Sequence, residues 1–448
     1  MKRWGLVSVL FAIGFGLIFT TSVVQANGIE DLLYEKGQIT KEEWLKLKAE
    51  REREDSIVQQ RSAIKNWFDK ISIRGYVQAR YSYLPGDKSI RSEYDNTIRD
   101  DTGFAFRRVR LVFSGDITDW LSFYIQPEFA GTVPGTTGDQ SNHFVQLRDA
   151  YADIFMPVPF LFLDKKDLRI RAGLSKVPFG FENLQSSQQR LAFDRSDGIN
   201  SAANGERDLG FFLYYTPDEK RKLFRKLIDS GLKGSGDYGL LGIGVYNGQT
   251  LNVNERNDNK HVVVHATYPM ELPYGQIIQF GVDAYRGSFN VGTTSGTNLT
   301  GGVAPTVENK GNYLDERVGV HFVLFPQPIG FQAEWNWGHG PQLNGSRTAI
   351  EDGPIQGGYV QGMYRWVVND WATLMPYVRY QEYSGGKKHR TNAPFNVVRE
   401  WEVGMEWQFT KSLEFTIAYA RSRRTDTQTA PYNIREGDIV RTQLQYNF

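Results

Sequence analysis

Arg108 and Arg110 lie two residues apart, as do Arg169 and Arg171, and Arg74 and Arg80 keep the same even spacing. In an extended chain, residues two apart share a face, so these six arginines would stand in columns on one side of their strands. A guanidinium is a permanently charged fork of N–H donors that matches the oxygens of a carboxylate or phosphate. Arg317, Arg365 and Arg379 continue the pattern later in the chain. Glu400, Glu402, Glu406 and Glu414 show the same parity. Lining a confined aqueous space, the two sets would put cations on one wall and anions on another, with a moderate preference for anions. The competing reading is that they pair with each other and stiffen the wall.

Other chemistry is poorly supplied. With no Cys there is no disulfide framework, thiolate metal site or cysteine nucleophile. His143, His261, His265, His321, His339 and His389 form no His-Glu-x-x-His run. His261 and His265 share parity and read as wall residues before metal ligands. There is no Walker-type glycine loop. A hydrolase at a rim would need Ser or Asp beside His339 or His389, and no spacing points to one. The expectation is no enzyme and no cofactor.

The elements that position the arginines show a period of two. Ile71, Ile73, Val77 and Tyr81 oppose Arg74, Tyr76, Gln78 and Arg80; Leu168, Ile170, Ala172 and Leu174 oppose Arg169, Arg171, Gly173 and Ser175. Trp401, Val403, Met405, Trp407 and Phe409 oppose Glu400, Glu402, Gly404, Glu406 and Gln408. One apolar and one wet face is the signature of a half-buried strand. Such dyads predict sixteen strands near 71–83, 103–115, 119–130, 143–156, 167–175, 207–216, 238–247, 260–269, 276–287, 313–325, 328–339, 355–368, 371–384, 395–409, 412–424 and 438–448. Long connections alternate with minimal ones such as Asp116 to Thr118, Pro326-Gln327, Asn369-Asp370 and Thr410-Lys411. Pro217 to Asp237 is a long, charged exception on the short side. A soluble sandwich would need to expose aromatic rings strand after strand or bury unpaired charges, both costly. The fold class predicted is therefore all-β: a 16-stranded antiparallel transmembrane β-barrel.

Composition agrees. The 448 residues carry 52 Lys+Arg against 51 Asp+Glu, with 28 Phe, 23 Tyr and 10 Trp. That balance gives no support to nucleic-acid binding. A mean hydropathy of −0.45 is too polar for a helical membrane protein, but suits alternating faces. Lys2, Arg3, an apolar Trp4 to Thr20 and small residues ending at Ala26 read as a cleaved secretory signal over 1–26. Residues 27–68 read as a short helical segment, opened at Thr40 and Glu43 by a capping box, and as a candidate coiled coil. The barrel is assigned to 69–448.

At the carboxyl end, Val440, Thr442, Leu444, Tyr446 and terminal Phe448 share one face. An aromatic-ending last strand resembles the signal read by bacterial barrel-insertion machinery. The strand Phe106-Arg-Arg-Val-Arg-Leu111, the run Leu147-Arg-Asp-Ala-Tyr151, and Gly173-Leu-Ser-Lys-Val-Pro-Phe-Gly180 leading into a long loop resemble the phosphate-selective porins of the O/P family. The resemblance implies a trimeric outer-membrane channel for small anionic solutes such as phosphate, set in lipid, with its third loop folded inward. That loop, Lys176 to Glu206, holds Lys176, Arg190, Asp194, Arg195 and Asp197. The candidate anion-attracting set is Arg74, Arg80, Arg108, Arg110, Arg169, Arg171, Lys176, Arg190 and Arg195. A general or sugar-type porin, with Tyr76, Tyr124 and Tyr377 as a sliding surface, is the alternative. One conflict is visible: in a regular strand Arg148 and Asp149 cannot both face the lumen.

Overall fold

A computed structural model describes residues 29–86, 90, 103–132, 142–157, 164, 166–205, 207–293, 307–369, 372–427 and 432–448. The expected signal segment, 1–26, lies outside them. The chain divides at Asp69/Lys70 into two compact units.

The first unit holds two helices, α1 (Ile29–Glu35) and α2 (Lys41–Phe68). Thr40 opens α2 as the capping box requires. Its N–H donates to the Glu43 carboxylate at 2.8 Å, while Glu43 N–H donates back to the Thr40 hydroxyl at 3.3 Å. The Thr40 N–H holds the Glu43 carboxyl below its ordinary range. Trp44 ties the helices together by stacking on Tyr34 at 5.3 Å and donating its indole N–H to Asp31 at 2.8 Å.

The second unit is a closed barrel of sixteen antiparallel strands. They are β1 (Ile71–Tyr83), β2 (Gly103–Thr118), β3 (Leu121–Thr132), β4 (Asn142–Phe155), β5 (Leu168–Lys176), β6 (Arg207–Tyr215), β7 (Leu241–Tyr246) and β8 (His261–Glu271). They continue with β9 (Ile277–Asn290), β10 (Asn312–Leu324), β11 (Ile329–Leu343), β12 (Ile350–Tyr364, resuming as Trp366–Asn369), β13 (Ala372–Gly386), β14 (Phe395–Thr410), β15 (Leu413–Thr425) and β16 (Ile434–Asn447). Both pieces of β12 pair with β13, so they count as one strand. The break falls at Arg365, whose N–H turns to Pro328 O at 2.7 Å.

Each strand pairs with its chain neighbours, and β1 pairs with β16 to close the sheet. At the seam Gly75 and Phe448 exchange both backbone hydrogen bonds, 2.7 and 3.0 Å. The Phe448 ring is 62% exposed on the outer wall. A Cβ on Gly75 would meet that ring and Arg110 O, each at 2.6 Å. The barrel is polar within and apolar without: in β10, Asp315, Arg317 and His321 are buried while Val318, Val320 and Phe322 are exposed.

Three connections differ from expectation. β2 runs through Thr118, so the reversal falls at Asp119-Trp120, where Trp120 N–H reaches back to the Thr118 hydroxyl (3.4 Å). β11 and β12 extend toward each other and shorten the 340–354 loop to 344–349. The long exception on the short-turn side contains α5 (Asp218–Asp229), whose Leu227 packs with Phe181, Leu232 and Phe325. Its amphipathic spacing is what buries one face there.

Replacing Gly75 with Leu should overpack the seam and destabilise closure by about 1–3 kcal/mol. A lowered temperature for the folded-to-unfolded mobility shift on cold SDS gels is the expected readout, and an unchanged transition would remove Gly75 from the account of closure.

Candidate functional site: the lumen and its inserted loop

The third long connection leaves β5 at Lys176 and turns into the barrel. It carries two short helices, α3 (Phe181–Leu184) and α4 (Asp197–Ala202), and most of its side chains are buried. Pro178 and Gly180, the latter at φ 85°, supply the reversal. Positive φ is cheap only for glycine, and Gly180 N–H is received by Asp283 of β9 at 3.0 Å.

The loop is then tied to much of the wall. Glu182 forms a two-pronged pair with Arg379 of β13 (2.6 and 3.2 Å), and its N–H donates to Glu334 of β11 (3.0 Å). Asp197 pairs with Lys387 (3.1 Å) and lies 3.5 Å from Arg424 of β15. Arg317 of β10 donates to Gly198 O and Ser201 (3.1 and 2.8 Å). Ser187 meets Tyr76 at 2.6 Å and Arg110 at 3.3 Å. Gln188 donates to Asn447 of β16 at 3.0 Å. At Gly198 the approach is backbone to backbone, since a Cβ there would lie 2.5 Å from Gly357 C of β12.

The nine candidate cations fall into distinct places. Arg80, Arg108 and Arg110 gather on β1 and β2 against the loop. Arg80 grips Asp194 at 2.9 Å, Arg108 donates to Gln78 at 2.8 Å, and Arg110 pairs with Glu128 and donates to Tyr76. Arg169 and Arg171 belong to a second group on β5. Arg171 is bidentate to Asp153 (2.8 Å twice) and 3.8 Å above the Tyr151 ring; Arg169 binds Asp237 at 2.9 Å. Lys176 donates to the carbonyls of Leu184 and Gln185 (3.0 and 2.9 Å), holding the loop closed on itself. Arg195 reaches Asn183 within the loop at 2.7 Å. Arg190 is buried in the same loop. Arg74 stands exposed toward the short-turn end, 5.8 Å from the Tyr124 ring. Of the later arginines, Arg317 and Arg379 point inward, whereas Arg365 sits at the break in β12.

The acids are matched to this. Glu400 pairs with Arg424, Glu402 with Arg441 (2.7 Å each) and Glu406 with Lys233 (2.6 Å). Glu414 accepts from Gln445 at 3.1 Å. His261 meets Asp315 at 2.9 Å, and His265 is bonded to Asp283. Both are members of the wall network. Tyr377 donates to Glu402 at 2.8 Å and Tyr124 stacks on Tyr151 at 5.2 Å.

Two arginines, Arg107 and Arg148, sit where strict alternation breaks. The register slips between Gln78/Ala79 and Arg108/Phe106, leaving Arg107 as the extra residue of a bulge. Phe104 and Phe106 therefore face outward, Phe104 at 87% exposure, while Arg108 and Arg110 face inward. Arg107 itself reaches Asp194 at 2.9 Å. A second slip, opposite Gln126/Pro127, frees Arg148 in the same way. Asp149 pairs with Arg207 at 2.9 Å, and Arg148 lines a cavity inside the long-loop end. The expectation that Arg148 and Asp149 cannot share the lumen thus fails, because the bulge resets parity between them. Pro127, which lacks an N–H, is a fitting partner for the slip.

That cavity has about 960 Å³ of open space and is lined by Arg148, Arg256, Lys388 and Arg390, with Asn204, Gln249, Thr250 and Thr391 among its polar neighbours and no carboxylate among the described residues of its lining. Burial holds Lys388 down to about 8 even though Asp315 pairs with it, and burial beside Lys388 keeps His389 neutral. At the short-turn end a second cavity of about 1070 Å³ has Asp116, Asp119 and Asp153 against Lys70.

A family model described as phosphate-selective porin O and P matches residues 78–448. The chain belongs to this porin family. It is an outer-membrane β-barrel through which small hydrophilic solutes diffuse passively. Among solved structures, OmpF of Salmonella typhi, determined in complex with daunomycin, shares 13% identity at a TM-score of 0.50, covering 84% of this chain and 97% of that one. The outer membrane channel DcaP of Acinetobacter baumannii shares 14% (TM-score 0.46, 84% and 97% covered). An anion-selective porin from Comamonas acidovorans shares 11% (TM-score 0.47, 84% and 99% covered). No curated protein matches the chain significantly.

In this porin, Gly198→Val should push α4 off β12 without opening the sheet. The expected result is an intact mobility shift on gels together with noisier, larger single-channel conductance. Conductance identical to the parent would show that the close approach at Gly357 does not hold the loop.

Proposed function

We propose that this porin passes small anions in preference to cations, and that phosphate is among the anions it admits. The observation that carries the reading is the long-loop vestibule, where Arg148, Arg256, Lys388 and Arg390 surround open space with no carboxylate residue among the described residues of its lining. Long connections face outward in barrels of this kind, so a solute arriving from outside would meet a positive field before the constriction. Like-signed walls of low dielectric focus such a field and concentrate the opposite ion. Deeper in, most cations are matched by acids, so the preference is moderate rather than absolute. The candidate set Arg74, Arg80, Arg108, Arg110, Arg169, Arg171, Lys176, Arg190 and Arg195 then divides. Those near Asp194 contribute to the field at the constriction, while Arg169, Arg171 and Lys176 chiefly fix the wall and loop. The sugar-type alternative draws less support, because the Tyr377 hydroxyl is engaged by Glu402 and Arg171 covers Tyr151. A homotrimer fits the family, with Leu45, Leu47, Ile57 and Val58 of α2 exposed for a helical seam. Cross-linking in membranes to a three-chain species is its check.

Reversal potentials across a KCl gradient in planar bilayers should favour chloride. Arg148→Gln, Arg256→Gln and Arg390→Gln combined should lower the anion:cation permeability ratio several-fold while leaving the gel shift intact; a cation-favouring parent channel would overturn the proposal.

The vestibule also predicts a pH dependence. Lys388, faced by Asp315 and Arg317 of β10, Tyr285 of β9, Asp208 of β6 and its neighbour His389, is cationic below about 8 and neutral above it. Anion preference should therefore fall between pH 7 and pH 9, and Lys388→Met should flatten that step. A preference constant across the range in the parent would remove Lys388 from the field.

A further inference from the structure

Polar atoms at the long-loop vestibule lack partners among the described residues. Gln249, in the connection after β7, lines the cavity and is 1% exposed. Its Nε2 meets no hydrogen-bond partner among those residues. Neither ring nitrogen of His389 does so either, although both are buried. The imidazole stands edge-on to Phe289 at 5.2 Å and lines the same cavity. A buried donor or acceptor left open costs free energy that a bound partner recovers. The backbone beside Gln249 is also held out of its relaxed form. Thr250 sits at φ 86°, a region that β-branched residues avoid. Asp208 of β6 fixes it there by accepting from Gly248 N–H (2.8 Å) and Thr250 N–H (3.1 Å). Strain of this kind persists where surrounding bonds enforce it, and it gathers at ligand clamps.

The same space holds cationic donors. Lys388 binds Asp315 and the Tyr285 hydroxyl (3.2 Å), leaving one of its three N–H donors uncommitted among the described residues. Arg256 lines the cavity with an exposed guanidinium. These two suit an acidic head group. Gln249 and His389 ask for something else. Burial beside Lys388 keeps the imidazole neutral, so it presents one N–H and one bare lone pair, while the Gln249 amide nitrogen donates. A hydroxyl both donates and accepts, and can serve each of these atoms; an ionised oxyanion only accepts. Phe289, Leu251 and Val253 give an apolar side for a short carbon skeleton. We propose that the vestibule binds small hydroxylated anions, with the acidic group toward Arg256 and Lys388 and the hydroxyls toward Gln249 and His389. The inference rests on the anion-preferring reading of this same cavity and deepens it by naming the solute class.

The test is calorimetric titration of the detergent-solubilised porin with glycerol 3-phosphate. Sulfate, which carries no O–H at neutral pH, and glycerol are the comparisons. Glycerol 3-phosphate should bind about fivefold or more tightly than sulfate, and glycerol without measurable heat. Gln249→Leu should raise the glycerol 3-phosphate Kd about fivefold, the scale of one hydrogen bond, and so close most of the gap to sulfate. His389→Phe keeps a ring against Phe289 while removing both nitrogens. It should have the same effect, and it decides the matter if the Gln249 variant does not assemble. Equal affinity for the two anions in the parent overturns the hydroxyl assignment, and a gap that survives both substitutions overturns the placement at Gln249 and His389. No binding of glycerol 3-phosphate to a channel whose reversal potential favours chloride overturns the site and leaves the anion preference standing. A cation-favouring channel that binds glycerol 3-phosphate and loses it in Gln249→Leu sinks the anion-preferring reading while supporting the site.

Discussion

The hydrocarbon of a bilayer offers no partner to an open N–H or C=O, so a sheet crossing it must bond its last strand to its first. In this chain the requirement is met where β1 runs beside β16 from Tyr76↔Asn447 to Tyr83↔Val440, with Gly75 and Phe448 finishing the ladder. Closure decides the rest of the architecture. Once the strands circle a lumen, each contributes alternate residues to lipid and to water, which is why Val318 and Phe322 stand outside while Arg317 and His321 stand inside. The usual rule of apolar interior and polar exterior is reversed by solvent geometry alone.

A lumen lined in this way would be wide and heavily charged without its insertions. Two segments fill it from opposite ends. The third loop enters from the long-connection side and is held by Glu182–Arg379, Asp197–Lys387 and Asp194 among its arginines. The α5 segment enters from the other, where Leu227 and Leu232 pack under Phe181 and Lys233 reaches Glu406. Breaking a buried pair from one side typically costs about 3–5 kcal/mol, whereas exchanging the whole pair for apolar groups is often neutral. The pairs are therefore best understood as fixing where the loop sits. They specify position more than they add stability.

The strands were largely legible because a barrel wall writes its environment into every second residue. Val262, Val264 and Tyr268 against His261, His265 and Thr267 need no tertiary knowledge to be sorted, and the structure exposes the first set and buries the second. Parity arguments fail where the chain inserts a residue. Arg107 and Arg148 sit at bulges, and nothing in the alternation announces a slip. The doublets Arg107-Arg108 and Arg148-Asp149, charged neighbours that one face cannot both accept, were the available signal. Partner choice was less legible still. Glu182 with Arg379 and Asp194 with Arg441 join residues far apart in sequence, and local spacing carries no information about such pairs. The inward course of Pro217 to Asp237 was hidden for the same reason, since a charged amphipathic helix looks alike on a surface and inside a polar bore.

The bulges bear on function as well as on register. A regular strand can send one residue in two to the lumen, which limits how many cations a given length of wall supplies. An inserted arginine exceeds that limit locally: Arg107 joins Arg108 beside Asp194 of the inserted loop, and Arg148 joins Asp149 without displacing its pairing to Arg207. Both insertions lie on the long-loop half of their strands, and each supplies a guanidinium to a place where charge is concentrated, around Asp194 or at the long-loop cavity. Bulges in sheets are retained because they re-aim a side chain. At these two bulges the re-aimed side chain is a guanidinium, which ties both of them to the electrostatics of the channel.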